Sequence, residues 1–339
     1  MAKASRREVL KQAGLIAASA VLGAHDAQAE KASFRLKFGN DLPAAHPVNL
    51  RLREAIAAIH SEAQGAVAIE LFPNNQLGGD PSMLSQIRSG ALELATFPGT
   101  VLSTLIPAMG VSGIGFAFTG YEKVWASMDG SLGDYLRDAV RKAKLHPFDA
   151  VWDNGFRQIT TSTKPIETPA DLQNFKIRVP VVPLWVSMFK ALGAAPVSIP
   201  LNEAYSSLQT RIADGQENPL ALINIAKFYE VQKYCSLTNH AWDGFWLVAN
   251  PRAWAELPAD IQGLLTKHLN AAALREREDI AQANVTLRKD LEAKGLTFAN
   301  ADSAAFRQTL SRSGFYAQWK EKYGPEAWGH LLKYSGSLE

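Results

Sequence analysis

Apolar and polar positions alternate at Phe34-Arg35-Leu36-Lys37-Phe38, which places three apolar side chains on one face and predicts a strand. Gly39 to Pro47 reads as a loop. Val48 to Ala63 carries apolar residues at helical spacing (Leu50, Ala55, Ile56, Ile59), and Ala66 to Phe72 is a second strand. This strand, helix, strand unit is the building block of parallel sheets. The pattern continues with a turn at Leu77 to Pro81, a helix to Ser89, a strand at Leu92 to Phe97, one helix from Trp125 to Lys144 and a strand from Phe148 to Trp152. A second series starts at Asp153: a strand near Gln158 to Thr161, a short helix opened by Thr168-Pro169, a strand at Phe175 to Val179, a helix from Pro183, a strand at Ala195 to Ile199 and a helix from Asn202. Strands resume at Cys235 to His240 and Gly244 to Val248. The helical tract from Pro258 to Lys294 would reach about 50 Å if unbroken, enough to brace two lobes. Ala304 to Leu332 is again helical and carries Phe306, Trp319, Tyr323 and Trp328.

These elements predict an α/β fold. A chain of 339 residues exceeds one compact core, so two lobes are expected, and without a Gly/Ser linker they should be joined by strands. After the first thirty residues no run approaches the ~18 apolar residues of a membrane span, so the mature chain is not expected to be membrane-inserted.

The first residues read as an export leader. Ser5-Arg6-Arg7-Glu8-Val9-Leu10-Lys11 is a twin-arginine start, Ala13 to Ala24 a short apolar run, and Ala27-Gln28-Ala29 a small-x-small cleavage site. Residues 1–29 are therefore expected to be a twin-arginine signal peptide, with the mature protein in the periplasm. That leader holds four basic residues (Lys3, Arg6, Arg7, Lys11) against Glu8 and Asp26, so its removal takes the formal charge from +2 to zero. A balanced chain without a local basic run argues against a nucleic-acid partner. The single cysteine, Cys235, rules out an internal disulfide and an N-terminal lipid anchor.

Four segments, in order, resemble the solute-binding proteins of tripartite ATP-independent periplasmic (TRAP) transporters, the DctP family. They are Phe72-Pro73-Asn74-Asn75-Gln76-Leu77-Gly78-Gly79-Asp80, Asp153-Asn154-Gly155-Phe156-Arg157-Gln158, Lys176-Ile177-Arg178-Val179-Pro180, and Asp214-Gly215-Gln216-Glu217-Asn218-Pro219 with Lys227 to Lys233 and Leu237 to His240 behind it. The resemblance implies a type II periplasmic-binding-protein fold: two α/β lobes joined by hinge strands, a long bracing helix and C-terminal helices. Lobe I is expected over 30–155 plus 244–283, lobe II over 156–243 plus 284–312, and a C-terminal helical segment over 313–339. It further implies that Arg178 holds a ligand carboxylate, supported by Arg157 and Asn218, and that TRAP membrane permease subunits receive the ligand.

The residue chemistry points the same way. A carboxylate entering a closed cleft loses hydration that a planar, permanently charged guanidinium with two parallel donors can replace. Arg178 stands at the carboxyl end of a predicted strand, where ligands of open α/β sheets bind. Arg157 can bind ligand or buttress a wall, and Asn218 can bind ligand or shape a turn. Phe97, Trp152, Trp185, Trp242 and Phe245 are candidate cleft aromatics, and Leu201 occupies a position that is often aromatic. Asn40, Asp41 and His46 are first-lobe candidates, with His46 read chiefly as a cap or hinge contact.

Thr96 to Thr100 lacks the glutamate of sialic-acid-binding relatives, which argues against sialic acid. The aromatics favour an aromatic or aliphatic (keto or hydroxy) carboxylate over a sugar acid. An exported enzyme is the main alternative, but there is no zinc motif, nucleophile elbow or phosphate loop, and Gly113-Ile114-Gly115 lacks a third glycine, so no cofactor and no catalytic residue is expected. A binding protein serving a sensor or another class of transporter is the second alternative.

Overall fold

The computed structural model describes residues 32–338, so the expected leader lies outside the described residues. Eleven strands build one sheet: β1 (Phe34–Gly39), β2 (Val67–Phe72), β3 (Leu94–Pro98), β4 (His146–Pro147), β5 (Trp152–Thr161), β6 (Lys176–Val179), β7 (Ala195–Ser198), β8 (Gly215–Pro219), β9 (Tyr234–Leu237), β10 (Trp242–Ala249) and β11 (Thr297–Asn300). The path runs β2-β1-β3-β10-β5-β8-β6-β7, with β4 on β10, β9 on β5 and β11 on β9. β1 is parallel to β2 and β3, and β6 is parallel to β7 and β8. Two parallel half-sheets thus form the centres of two lobes, as the helix and strand alternation predicts.

β5 and β10 join the halves. The first part of β5 pairs antiparallel with β10, opposite Trp242 to Phe245, and its second part, Arg157 to Thr161, pairs with β8 and β9. The sequence reading expected two separate strands, Phe148 to Trp152 and Gln158 to Thr161. One ten-residue strand forms instead, because Gly155 takes φ +110° and bends the chain without ending the ladder. A side chain there would also press on Pro219, its Cβ 3.2 Å away.

The helix expected from Trp125 to Lys144 is two, Tyr121–Met128 and Ser131–Lys142. Gly130 separates them; a Cβ at that position would stand 2.4 Å from the Ala126 carbonyl oxygen.

The helix Ala259–Ala293 is continuous over 35 residues, about 50 Å, and packs on the helix Pro47–Glu62, on β5 and on the helix Leu220–Ile225, so it touches both halves. Its inner stripe is Leu265, Leu269, Ala272, Ala273, Ile280, Leu287 and Leu291. One charged residue interrupts it: fully buried Glu276 accepts the Asp153 backbone N–H at 2.9 Å where β5 begins. Asp153 in turn accepts the Trp242 indole N–H of β10 at 2.9 Å, so helix and both joining strands are tied at one point. The C-terminal helices Ser303–Arg312 and Phe315–Ser335 bury Phe306, Trp319, Tyr323 and Trp328 against the largest core cluster.

Candidate functional site

The carboxyl ends of the parallel strands in both halves face one narrow space. The loop after β1 brings Asp41, the segment after β3 brings Thr100, and Arg178 and Asn218 stand one residue before the ends of β6 and β8. β5 contributes Asn154 and Arg157, and β10 contributes Asp243 and Phe245. Two more open grooves, one at Val181 to Phe315 and one at Phe116 to Arg307, gather fewer charged groups.

Arg178 is 1% exposed. Its Nε donates to the Ile199 carbonyl at 2.8 Å, which fixes the guanidinium plane, and among the described residues it forms no other hydrogen bond and no ion pair. Burial lowers its pKa to about 10, opposed most strongly by Glu217, so the group stays cationic at neutral pH.

Arg157 is placed beside it and treated differently. Its Nε and Nη2 grip the two oxygens of Glu217, Nη2 also donates to the Glu217 carbonyl at 2.8 Å and to Asn218 Oδ1 at 3.0 Å, and Nη1 reaches Asp243 at 3.4 Å. The guanidinium lies over the Trp185 ring, 4.4 Å from its centroid. His240 Nε2 stands 3.1 Å from the same Glu217 carboxylate and its Nδ1 2.8 Å from the Thr238 hydroxyl. Burial pushes Glu217 up, but the Arg157 charge and the hydrogen bonds from His240 and Arg157 outweigh it and hold the carboxyl below its ordinary range. Arg157 therefore shapes a wall as well as lining the cavity. Asn218 is engaged at both ends of its amide, since its Nδ2 donates to Gln216 Oε1 at 2.5 Å.

The remaining acids are held differently. Burial raises Asp41 to about 6 against its own backbone N–H and the two arginines, and raises Asp243 to about 7 against Arg157. Asp80, the first residue of the helix Asp80–Ser89, is pushed well above the carboxylate range by burial and by the Asp41 and Asp243 charges. Asp41 Oδ1, Asp80 Oδ1, Thr100 Oγ1, Asn154 Oδ1 and both amide atoms of Asn75 are buried without a hydrogen-bond partner. All of these residues line the cavity or its extension past Arg178.

The loop carrying Asn75 is locked onto the first strand's loop. Asn74 N–H donates to the Leu42 carbonyl at 2.8 Å and Asn75 N–H to the Asn40 carbonyl at 3.1 Å. Asn40 itself bonds Asn49, and His46 caps the helix Pro47–Glu62 by accepting the Val48 N–H at 3.3 Å. These two residues hold the loop that presents Asp41.

The structure thus brings Arg178, Arg157, Asn218 and Asp41 together. Phe97, Trp152 and Trp242 are not part of the lining and lie in hydrophobic core clusters. Strand alternation explains two of them: Phe97 precedes the lining Pro98, and Trp242 precedes the lining Asp243, so each points to the opposite face. Trp185 and Phe245 are the rings at the cavity, with Leu201 nearby. Sequence reasoning missed Asp80, Asn75, Thr100, Asn154 and Asp243 as site residues. Asp243 carried a readable signal, an acid inside an otherwise apolar strand, Trp242 to Val248.

Comparison with known proteins places this arrangement. A solute-binding protein of Roseobacter denitrificans is 32% identical over 92% of this chain and 95% of its own length. The 2,3-diketo-L-gulonate-binding periplasmic protein of Escherichia coli is 29% identical over 81% and 84%. The crystal structure of a TRAP periplasmic solute-binding protein from Roseobacter denitrificans with bound L-galactonate superposes with TM-score 0.82 at 30% identity, over 88% of this chain and 99% of that one. The sugar acid binding protein of Advenella mimigardefordensis in complex with galactonate gives 0.85 at 27% identity, over 90% and 98%. Residues 38–320 match the family described as bacterial extracellular solute-binding protein, family 7, whose members are binding proteins for small carboxylates. With most of the chain inside that match, the protein belongs to this family, DctP, the solute-binding proteins of TRAP transporters.

Proposed function

We propose that this protein captures a hydroxylated monocarboxylate of the sugar-acid class in the periplasm and delivers it to the membrane permease subunits of a TRAP transporter, without catalysing a reaction. The observation that carries the reading is Arg178: a buried guanidinium, oriented by one backbone carbonyl, whose remaining donors meet no protein acceptor among the described residues. Such a group is matched by a carboxylate received in a two-point contact. The hydroxylated class follows from the unpartnered polar atoms of Asp41, Asp80, Asn75, Thr100 and Asn154, which suit several hydroxyls and not an aromatic or alkyl chain. The sequence reading favoured an aromatic or aliphatic (keto or hydroxy) carboxylate over a sugar acid; the unpartnered polar atoms favour the sugar acid, and the bound sugar acids of the Roseobacter and Advenella relatives support it.

Among the described residues no helix is long and apolar enough to cross a membrane. Capture is a closure of lobe I (30–155 plus 244–283) on lobe II (156–243 plus 284–312) about the joining strands β5 and β10, with the ligand bridging both and so stabilising the closed state. A thermal-shift screen against sugar acids, keto acids and aromatic acids tests the class. Sugar acids should raise the melting temperature most; a rise confined to aromatic acids would overturn the reading.

A further inference from the structure

We propose that Asp41 and Asp80 form an acid pair that sets ligand specificity, accepting hydrogen bonds from the hydroxyls of a singly charged acid and repelling any ligand that carries a second carboxylate. The inference rests on the carboxylate-capture reading of the same cavity and adds which acids it refuses. Both side chains line the extension of the cavity beyond Arg178, together with Asn75. Neither donates to or accepts from another residue's side chain among the described residues, and each has a buried carboxylate oxygen without a partner. Asp41 is held by the loop clamp of Asn40 and Asn74, and Asp80 by the start of a ten-residue helix, so both are presented by fixed backbone.

The distribution of charge around the cavity gives the pair its selectivity. Glu217 and Asp243 surround the Arg157 guanidinium, which leaves Arg178 as the cation beside Asp41 and Asp80. One ligand carboxylate on Arg178 uses that charge. A second carboxylate would find no unmatched cation and would face two acids in a poorly hydrated space, where like charges repel strongly. A hydroxyl at the same place donates to Asp41 or Asp80 and accepts from the Asn75 amide.

Calorimetric titration of the wild type, Asp41→Asn and Asp80→Asn with L-galactonate, D-gluconate and D-galacturonate, and with succinate and fumarate, tests the pair. The wild type should bind its best sugar acid at least about 100-fold more tightly than either dicarboxylate, since a site built for hydroxyls discriminates strongly against ligands that leave its polar groups unpaired. Each Asn variant is nearly isosteric and removes a buried like charge, so it should fold; circular dichroism checks this. Each should lose about tenfold or more toward the sugar acid and gain toward succinate, collapsing the ratio. A wild type that binds succinate as tightly as any sugar acid, or variants that keep the wild-type ratio, would overturn the assignment. Arg178→Ala reports separately on the carboxylate anchor: it should weaken both ligand classes together and leave the ratio in place. Binding of no acid in the panel overturns the capture reading and this one with it.

Discussion

Arg157 and Glu217 meet in a two-point ion pair with both side chains buried, 3% and 0% exposed, Arg157 on the joining strand β5 and Glu217 on its neighbour β8 in the second half-sheet. The geometry makes the pair a wall of the cavity whose two halves depend on each other. Breaking it leaves one charge buried and unpaired, which costs about 3–5 kcal/mol. Arg157→Ala should lower unfolding free energy by that amount in urea titration, and Arg157→Met with Glu217→Gln together should cost markedly less. Equal losses for the single and double variants would contradict the pairing.

The buried acids give stability a defined pH dependence. Asp153 and Asp243 have folded-state pKa values of about 7 against an ordinary 3.8, both raised chiefly by burial. Above pH 4 the folded state therefore holds protons that the unfolded chain has released, and stability falls as pH rises through 7. His46, lowered by burial to about 3, and His240, also lowered by burial, act in the opposite sense, but only below about 6.5. The ligand-free protein should thus lose about 1 kcal/mol between pH 6.5 and 8. Asp153→Asn and Asp243→Asn should each flatten the profile of melting temperature against pH over that window.

Glu276 offers a separate test of the brace. Its carboxyl accepts the Asp153 N–H, and burial together with the Asp153 charge keeps its pKa well above the carboxylate range. Glu276→Gln preserves an acceptor and removes the ionisable carboxyl, and it should be neutral or stabilising. Glu276→Ala should cost about 1–3 kcal/mol by leaving the Asp153 N–H unpaired. Hydrogen exchange at the Asp153 amide should speed up in the alanine variant only.

Much of the fold was legible because its elements are locally consistent: the alternation at Phe34 to Phe38, the helical spacing from Val48, and the uninterrupted tract that became Ala259–Ala293. What escaped were features set by tertiary pairing. Asp153-Asn154-Gly155 has the composition of a turn, yet β10 holds it as strand, with Gly155 supplying the bend. Arg178 was readable from its place at the end of a short strand before Pro180. Which of the aromatic candidates line the cavity was not, because composition does not tell which strand face meets it; Trp242 and Asp243 are adjacent and look opposite ways. Asp80 was hidden by a start-of-helix context in which an acid is ordinary.

The central claim is that Arg178 receives the ligand's carboxylate. Isothermal titration of wild type and Arg178→Ala with the tightest sugar acid from the screen measures it directly. Loss of one partner of a buried charge pair costs about 2–5 kcal/mol, so affinity should fall by roughly 30-fold or more while the melting temperature of the ligand-free variant stays the same or rises. Unchanged affinity in a folded Arg178→Ala protein would contradict the account.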